Sequence, residues 1–508
     1  MTASLEATHA LHPGGRLLFD GAEWDFQTVR RVYDAIETIA RDELGLDLFP
    51  NQIEIISAEQ MLDAYSSVGM PLMYAHWSYG KRFARDEALY RKGYTALAYE
   101  IVINSNPCIS YCMEENTMAM QTLVIAHAAF GHNHFFKSNY LFQQWTDPTG
   151  ILDYLDFAKR YVASCEERYG VEAVERTIDA AHALMGQGVF RYPRARKLSL
   201  AEYERVRRER LEREAHEYRD LWRTVPGAKP AEEAPGALDE DARERKRNLR
   251  LPEENLLYFL EKNSPKLRVW QRELLRIVRN VAQYFYPQRQ TKLMNEGCAT
   301  FVHYTIVNRL YDKGLISEGA LLEILMSHAN VVAQFDYTDP RFSGFNPYAL
   351  GFAMMQDIRR ICETPTDEDR AWFPDIAGRS DWPAVLRDVW ANYRDESFVR
   401  QFLSPRLIRQ FRMFALADKA NDSKVRVQAI HDAEGYRRVR STLADSYDVA
   451  ANEPDLQVVD GDLIGDRPLV LRLTRRNGVG LADIGKDATL RHIRWLWGYE
   501  VRVEEAAG

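Results

Sequence analysis

Three segments of this 508-residue chain gather histidines, carboxylates and amides among apolar side chains: YCMEENTMAMQTLVIAHAAFGHNHFFKSNYLF, QTKLMNEGCATFVHY and LMSHANVVAQ. Of 12 histidines, four fall in the first two segments: His127, His132, His134 and His303. A single histidine beside apolar residues is more often a core residue bonded to backbone than a ligand. Several polar groups buried together must instead pair with one another or hold an ion. Imidazoles with a carboxylate suit a divalent metal, zinc first, with iron or manganese as the other candidates. The expected ligands are His127, His132 and Glu296, with Glu115 and His303 moving protons.

The spacing raises a geometric problem. In a straight α-helix residues five apart, such as His127 and His132, differ by about 140° in azimuth, whereas His127 and His134 nearly eclipse. Gly131 offers the resolution, because a helix that ends or bulges there swings His132 back toward His127, and π-bulges favour functional sites. The nearest motif with a mechanism is the zinc motif HExxH, but HAAFGH is not that motif: it has one extra residue between the histidines, and Ala128 stands where the catalytic Glu would be. Asn295-Glu296-Gly297-Cys298-Ala299 resembles the downstream helix of gluzincin peptidases, in which a Glu after Asn gives the third ligand. Glu114 and Glu115 begin the helix leading to His127. They serve either as compensation of the helix N-terminus or, in the case of Glu115, as the general base that HAAFGH lacks. Cys298 and His303 point to different helix faces, which argues against a thiol nucleophile.

These segments need elements to hold them. WDFQTVRRVYDAIETIARDEL has the three- and four-residue apolar spacing of an amphipathic helix, and AYEIVINSN reads as a short strand stopped by Asn106-Pro107. Residues 197–222 alternate in charge, as a solvated helix does. Pro226, Pro230 and Pro235 make 223–250 a linker or long exposed loop. The second half opens with helices, one stopping at Pro287 and another running through MNEGCATFVHY to Gly314. From about Asp422, KVRVQAI, LQVVD and PLVLRLT read as strands around two helices. The expected fold is a mainly α body, zincin-like in having a short strand before the site helix, plus a small C-terminal α+β module. The divisions are 1–222, 223–250, 251–421 (completing the site) and 422–508, the last carrying recognition.

Length alone calls for more than one core. A formal charge of −8 gives no footprint for nucleic acid. Five scattered cysteines suit reduced thiols. The start carries no readable signal peptide and no apolar stretch is long enough for a bilayer, so a cytoplasmic protein without a membrane span is expected. No nucleotide-binding loop or kinase signature is present.

The runs MYAHWSYGK, YEIVINSNPCISYCMEENT, VIAHAAFGHNHFFKSNYLF, ENLLYFLEKNSPKLRVWQRELLRIVRNVAQYFYPQRQTKLMNEGCATFVHY and NPYALGFAMMQDIRRICE resemble the SpoVR family, stage V sporulation protein R and its relatives in nonsporulating bacteria. One departure is Cys298, where the family pattern leads us to expect Trp. The resemblance implies a role in spore cortex formation or in stress and stationary-phase physiology, often alongside a serine protein kinase, and implies no reaction. Chemistry has to come from the residues. They point to a metal-dependent hydrolase of amide or peptide bonds. The competing readings are a noncatalytic regulator or scaffold acting with a kinase, docking through 197–222 and the C-terminal module, and a redox metalloprotein with iron. Since a Pro-rich, charged stretch buries too little apolar area to offset chain entropy, limited proteolysis is expected to cut first within 223–250. Protection there, with cleavage elsewhere, would contradict the division.

Overall fold

The computed structural model describes residues 17–67, 70, 73–91, 100–191, 249–336, 339–413, 415–417, 426–429, 432–463, 465–475 and 483–507. The charged segment 197–222 and the linker 223–250, save its last two residues, lie outside the described residues. The body is mainly helical, with a small strand module near the C-terminus. Two compact units divide it, one from residues 1–175 and 283–449, the other from 176–282 and 450–508. Residues 422–449 thus fall in the first unit and 450–508 in the second.

The first unit opens with helix α1, Phe26–Asp42, which starts where the Asp25 carboxylate accepts the Thr28 N–H and buries Val29, Val32, Ile36, Ile39 and Ala40 on one stripe. A three-stranded sheet follows, β1 (Asn51–Ile56), β2 (Glu100–Ile103) and β3 (Cys108–Met113), in the order β1-β3-β2. β1 runs parallel and β2 antiparallel to β3, with Glu100 opposite Cys112 at the start of β2. Beyond β3 the chain turns into helix α2, Met118–Ile125, whose first turn is capped by the Thr117 hydroxyl. It continues as a π-helical turn, Ala126–His132, and then as helix α3, Asn133–Ser138.

Helix α4, Lys292–Asp312, buries Leu293, Met294, Cys298, Ala299, Phe301, Val302, Ile306, Val307 and Leu310, and so is covered almost all round. Around it stand α5 (Glu318–Val331), α6 (Pro347–Glu363) and α7 (Asp395–Phe402). The backbones approach closely because small residues face each other. A Cβ on Gly131 would come within 2.5 Å of Ala299 Cα, and one on Gly297 within 2.7 Å of Gly351 Cα. The preceding helix, Val269–Gln290, does not stop at Pro287 as its sequence suggests. Pro287 costs one amide near the helix end, where few remain, and the Thr291 hydroxyl donates to the Pro287 carbonyl at 2.8 Å. Thr291 makes no side-chain cap for α4. Asp395, on α7, does so from 102 residues away, its two oxygens accepting the Leu293 and Met294 amides at 2.8 and 2.9 Å. Gly314, at φ 68°, closes the other end of α4.

In the second unit, strands Asp455–Gly461, Leu469–Arg475 and Val501–Ala507 form a sheet in that order, antiparallel and then parallel. Trp497, at the end of helix Asp483–Trp497, is fully buried and its indole donates to the Arg467 carbonyl at 2.7 Å. No helix among the described residues is long and apolar enough to cross a membrane.

Two outcomes follow from this packing. Gly131→Ala is expected to cost about 1–3 kcal/mol, because overpacked backbone must move apart; an unchanged urea midpoint would show the contact to be slack. Burial outweighs the two amide bonds and the Lys292 ammonium and pushes the Asp395 carboxyl from 3.8 up to about 7. A carboxyl raised on folding contributes stability that is fully present below about 4 and lost as pH rises to about 7. The stability of the wild type relative to Asp395→Asn should therefore fall between those values and level off above them. Chemical denaturation across pH measures it, and a difference that rises with pH would refute the assignment.

Candidate metal centre

The π-helical turn settles the spacing of the histidines. Its backbone bonds run five residues back, as from the Asn133 N–H to the Ala128 carbonyl, so residues five apart stack rather than diverge. His127 and His132 accordingly meet edge to face, with ring centroids 4.7 Å apart. His134, two residues on, leaves this face: it takes the Asp47 amide at 3.1 Å and packs on Trp390. It is a core histidine, and burial holds its pKa down at about 4.

Because α4 lies against the π turn at backbone distance, its first turns reach the same point. Glu296 Oε2 stands 3.9 Å from His127 Nε2 and 3.6 Å from His132 Nε2. Glu100, at the edge-strand start, places Oε1 3.6 Å from His127 Nε2. Donor atoms of Glu100, His127 and His132 all lie within 4.8 Å of one another, an arrangement that could hold a metal ion. His127 Nε2 and Glu296 Oε2 are buried and have no hydrogen-bond partner. Buried atoms of this kind normally find one, and all the donors suit a divalent cation. The residues fit a metal.

The atoms behind the donors are also arranged. His132 Nδ1 lies 2.9 Å from Asn295 Oδ1, an acceptor, so in the neutral ring Nε2 is the nitrogen free to ligate, on the side of Glu296. His127 Nδ1 lies 2.9 Å from His303 Nδ1, and His303 Nε2 lies 2.9 Å from His328 Nδ1. Metal-binding histidines are usually oriented in this way by a partner on the second nitrogen. Tyr348 hydrogen-bonds Glu296, and burial together with the Glu296 and Glu100 charges holds its phenol far above the ordinary range. Burial, then the Glu296 charge, pushes the Glu100 carboxyl up to about 8. His127 is driven well below its ordinary value by burial and then by its histidine neighbours, and His303 likewise.

A cavity of about 390 Å³ opens beside the donors, lined by Glu100, Leu123, Val124, His127, His303, Ser327, Val331, Asn346 and Tyr348. A larger one of about 770 Å³, bordered by Phe345, Asp357, Arg360 and Arg412, contains none of the donors. Of these two cavities, the smaller is the one that the donors border.

The structure thus brings His127, His132, Glu296 and His303 together. Glu115 is exposed in the turn between β3 and α2, because twelve residues of mostly helical chain, about 18 Å of rise, separate it from His127. The second carboxylate at the histidines is Glu100, which the sequence reading passed over. Its signal was present: a lone acid opening the apolar run EIVI. His303 reaches the centre through His127, which makes it a positioning group as well as a cavity wall. Asn295, His328 and Tyr348 also belong to the site, and each lies in a segment already singled out by composition or resemblance. Cys298 is fully buried, its thiol 3.9 Å from the Gly131 carbonyl.

Comparison with known proteins supplies the context. No solved structure matches the chain. It is 52% identical over 488 residues, 96% of this chain and 94% of the relative, to a protein of Escherichia coli (strain K12) named "Uncharacterized protein YcgB". The family model described as SpoVR like protein matches residues 23–452, and that described as SpoVR-like C-terminal domain matches 454–508. With nearly its whole length matched, the chain belongs to the SpoVR family.

Proposed function

We propose that the protein is a metal-dependent hydrolase of amide or peptide bonds, with His127, His132 and Glu296 holding a divalent metal and Glu100 moving the proton. One observation carries this reading: two imidazoles and two carboxylates, including buried donor atoms without partners, converge at the wall of a cavity. Three protein ligands with an open fourth position are the catalytic arrangement of zinc, and iron or manganese also accept these donors. When bound, such a metal supplies Lewis-acid activation of water and of a substrate carbonyl. The zincin-like order, a short strand ahead of the site helix, is part of the same proposal, as are the family-implied tie to cortex formation or stress physiology and the serine protein kinase partner.

The chain's own residues then divide the work. Glu100 lines the cavity with Oε1 3.6 Å from His127 Nε2, where its carboxylate can take a proton from water and return it to a leaving amine. Leu123, Val124 and Val331 form an apolar wall that limits water. Tyr348 and Asn295 steady Glu296 and His132.

Elemental analysis of protein purified with zinc, iron and manganese available is expected to show about one metal per chain, lost in the His127→Ala/His132→Ala double variant. Glu100→Gln should keep that metal while losing at least about a hundredfold of peptide-library cleavage read by mass spectrometry. Wild-type protein without metal, or with metal but cleaving no amide, would refute the hydrolase and favour a regulator. Loss of metal in Glu100→Gln would make Glu100 a ligand and end its role as base.

A further inference from the structure

Three buried histidines form a line that the hydrolase reading uses only at one end. His127 points Nε2 at Glu100 and Glu296 and Nδ1 at His303, which is bonded in turn to His328, the two ring-to-ring contacts both being 2.9 Å. An N···N contact of that length holds one proton, and a neutral imidazole has one to give. If His303 carries its proton on Nδ1, it donates to His127 Nδ1. The His127 proton must then sit on Nε2, and His328 must donate from Nδ1. If His303 carries it on Nε2, it donates to His328, His127 donates from Nδ1, and the His328 proton lies on Nε2. No third neutral arrangement satisfies both contacts.

The two arrangements differ at the metal centre. The first aims an N–H at two carboxylates, which is favourable without a cation. The second aims a lone pair at them, which is favourable only with one. We propose that His303 and His328 are positioning residues which fix the proton-bearing nitrogen of His127, so that metal entry and a tautomer change through all three rings are a single event. The inference rests on the metal reading above. The protons balance: one leaves His127 Nε2 for a carboxylate or water, one passes from His303 Nδ1 to His127 Nδ1, one from His328 Nδ1 to His303 Nε2, and water supplies one to His328 Nε2. Each ring ends neutral, as burial of His127 and His303 demands. Phe352 and Tyr304, with centroids 4.8 and 5.0 Å from that of His328, hold the outer ring in line.

Nitrogen-15 spectra of full-length protein labelled at histidine report the protonated nitrogen of each ring, with zinc as the probe. On adding zinc, His127, His303 and His328 should all exchange their protonated and bare nitrogens, although His328 lies two rings away from the cation. His303→Ala, which leaves His127 Nδ1 without its partner, should weaken zinc affinity by about ten- to a hundredfold, and added imidazole should restore part of that loss. Should His303→Ala fail to fold, the wild-type spectra still decide. Zinc bound at His127 and His132 with the His328 spectrum unchanged overturns this inference alone. Absence of any zinc binding overturns the metal reading beneath it.

Discussion

The site depends on one contact: helix α4 lies at backbone distance from the π-helical turn on one side and from α6 on the other. Gly131 against Ala299 and Gly297 against Gly351 leave no room for a further carbon. That closeness lets a side chain as short as glutamate meet histidines more than 160 residues earlier in the chain. It also fixes rotation, because interiors packed at this density do not slide by fractions of a turn. Asn295 and Glu296 are consecutive on α4, yet each faces His132 with a different task, one at Nδ1 and one at Nε2. A quarter-turn error would forfeit both. The cap from Asp395 holds the same turn along the helix axis, since it takes the amides of the two residues just before Asn295.

Electrostatics then does what packing has prepared. Two carboxylates near two imidazoles in a largely buried site repel each other unless a proton or a cation intervenes. The raised carboxyl of Glu100 reflects burial and then the Glu296 charge, while the depressed imidazole of His127 reflects burial and its histidine neighbours, which leave it neutral. A divalent cation would ease the repulsion between the carboxylates and take the lone pair of a neutral imidazole, which is why partnerless donor atoms at this spot carry more weight than a motif match. The sequence similarity establishes the family and leaves the reaction to these groups.

Much of this was legible in the sequence, and the failures have physical reasons. Clustering of His127, His132 and Glu296 could be read because buried polar groups need one another wherever they lie in the chain. The break in helix register at Gly131 could be read because five-residue spacing cannot share a face in an α-helix. Glu100 was missed because a site shared between a strand end and a helix has no fixed spacing, and Glu115 was preferred merely because it was nearer in sequence. The run through Pro287 shows the limit of local rules: proline three residues from a helix end removes only one amide bond, and the Thr291 hydroxyl bonds the Pro287 carbonyl just beyond. Asp395 carries no sequence signal as a cap, since its partners lie 102 and 101 residues away.

His134 shows how far context outweighs residue type. It shares a helical stretch with His132, two positions away, and is equally buried. In a regular α-helix it, and not His132, would stand above His127. The π turn exchanges their places, sending His134 to the Asp47 backbone and the Trp390 ring, where one nitrogen is satisfied by backbone. The same side chain is thereby a core residue at 134 and part of the candidate metal centre at 132. What separates the two roles is a single additional residue per turn, held in place by a glycine that lets α4 press against it.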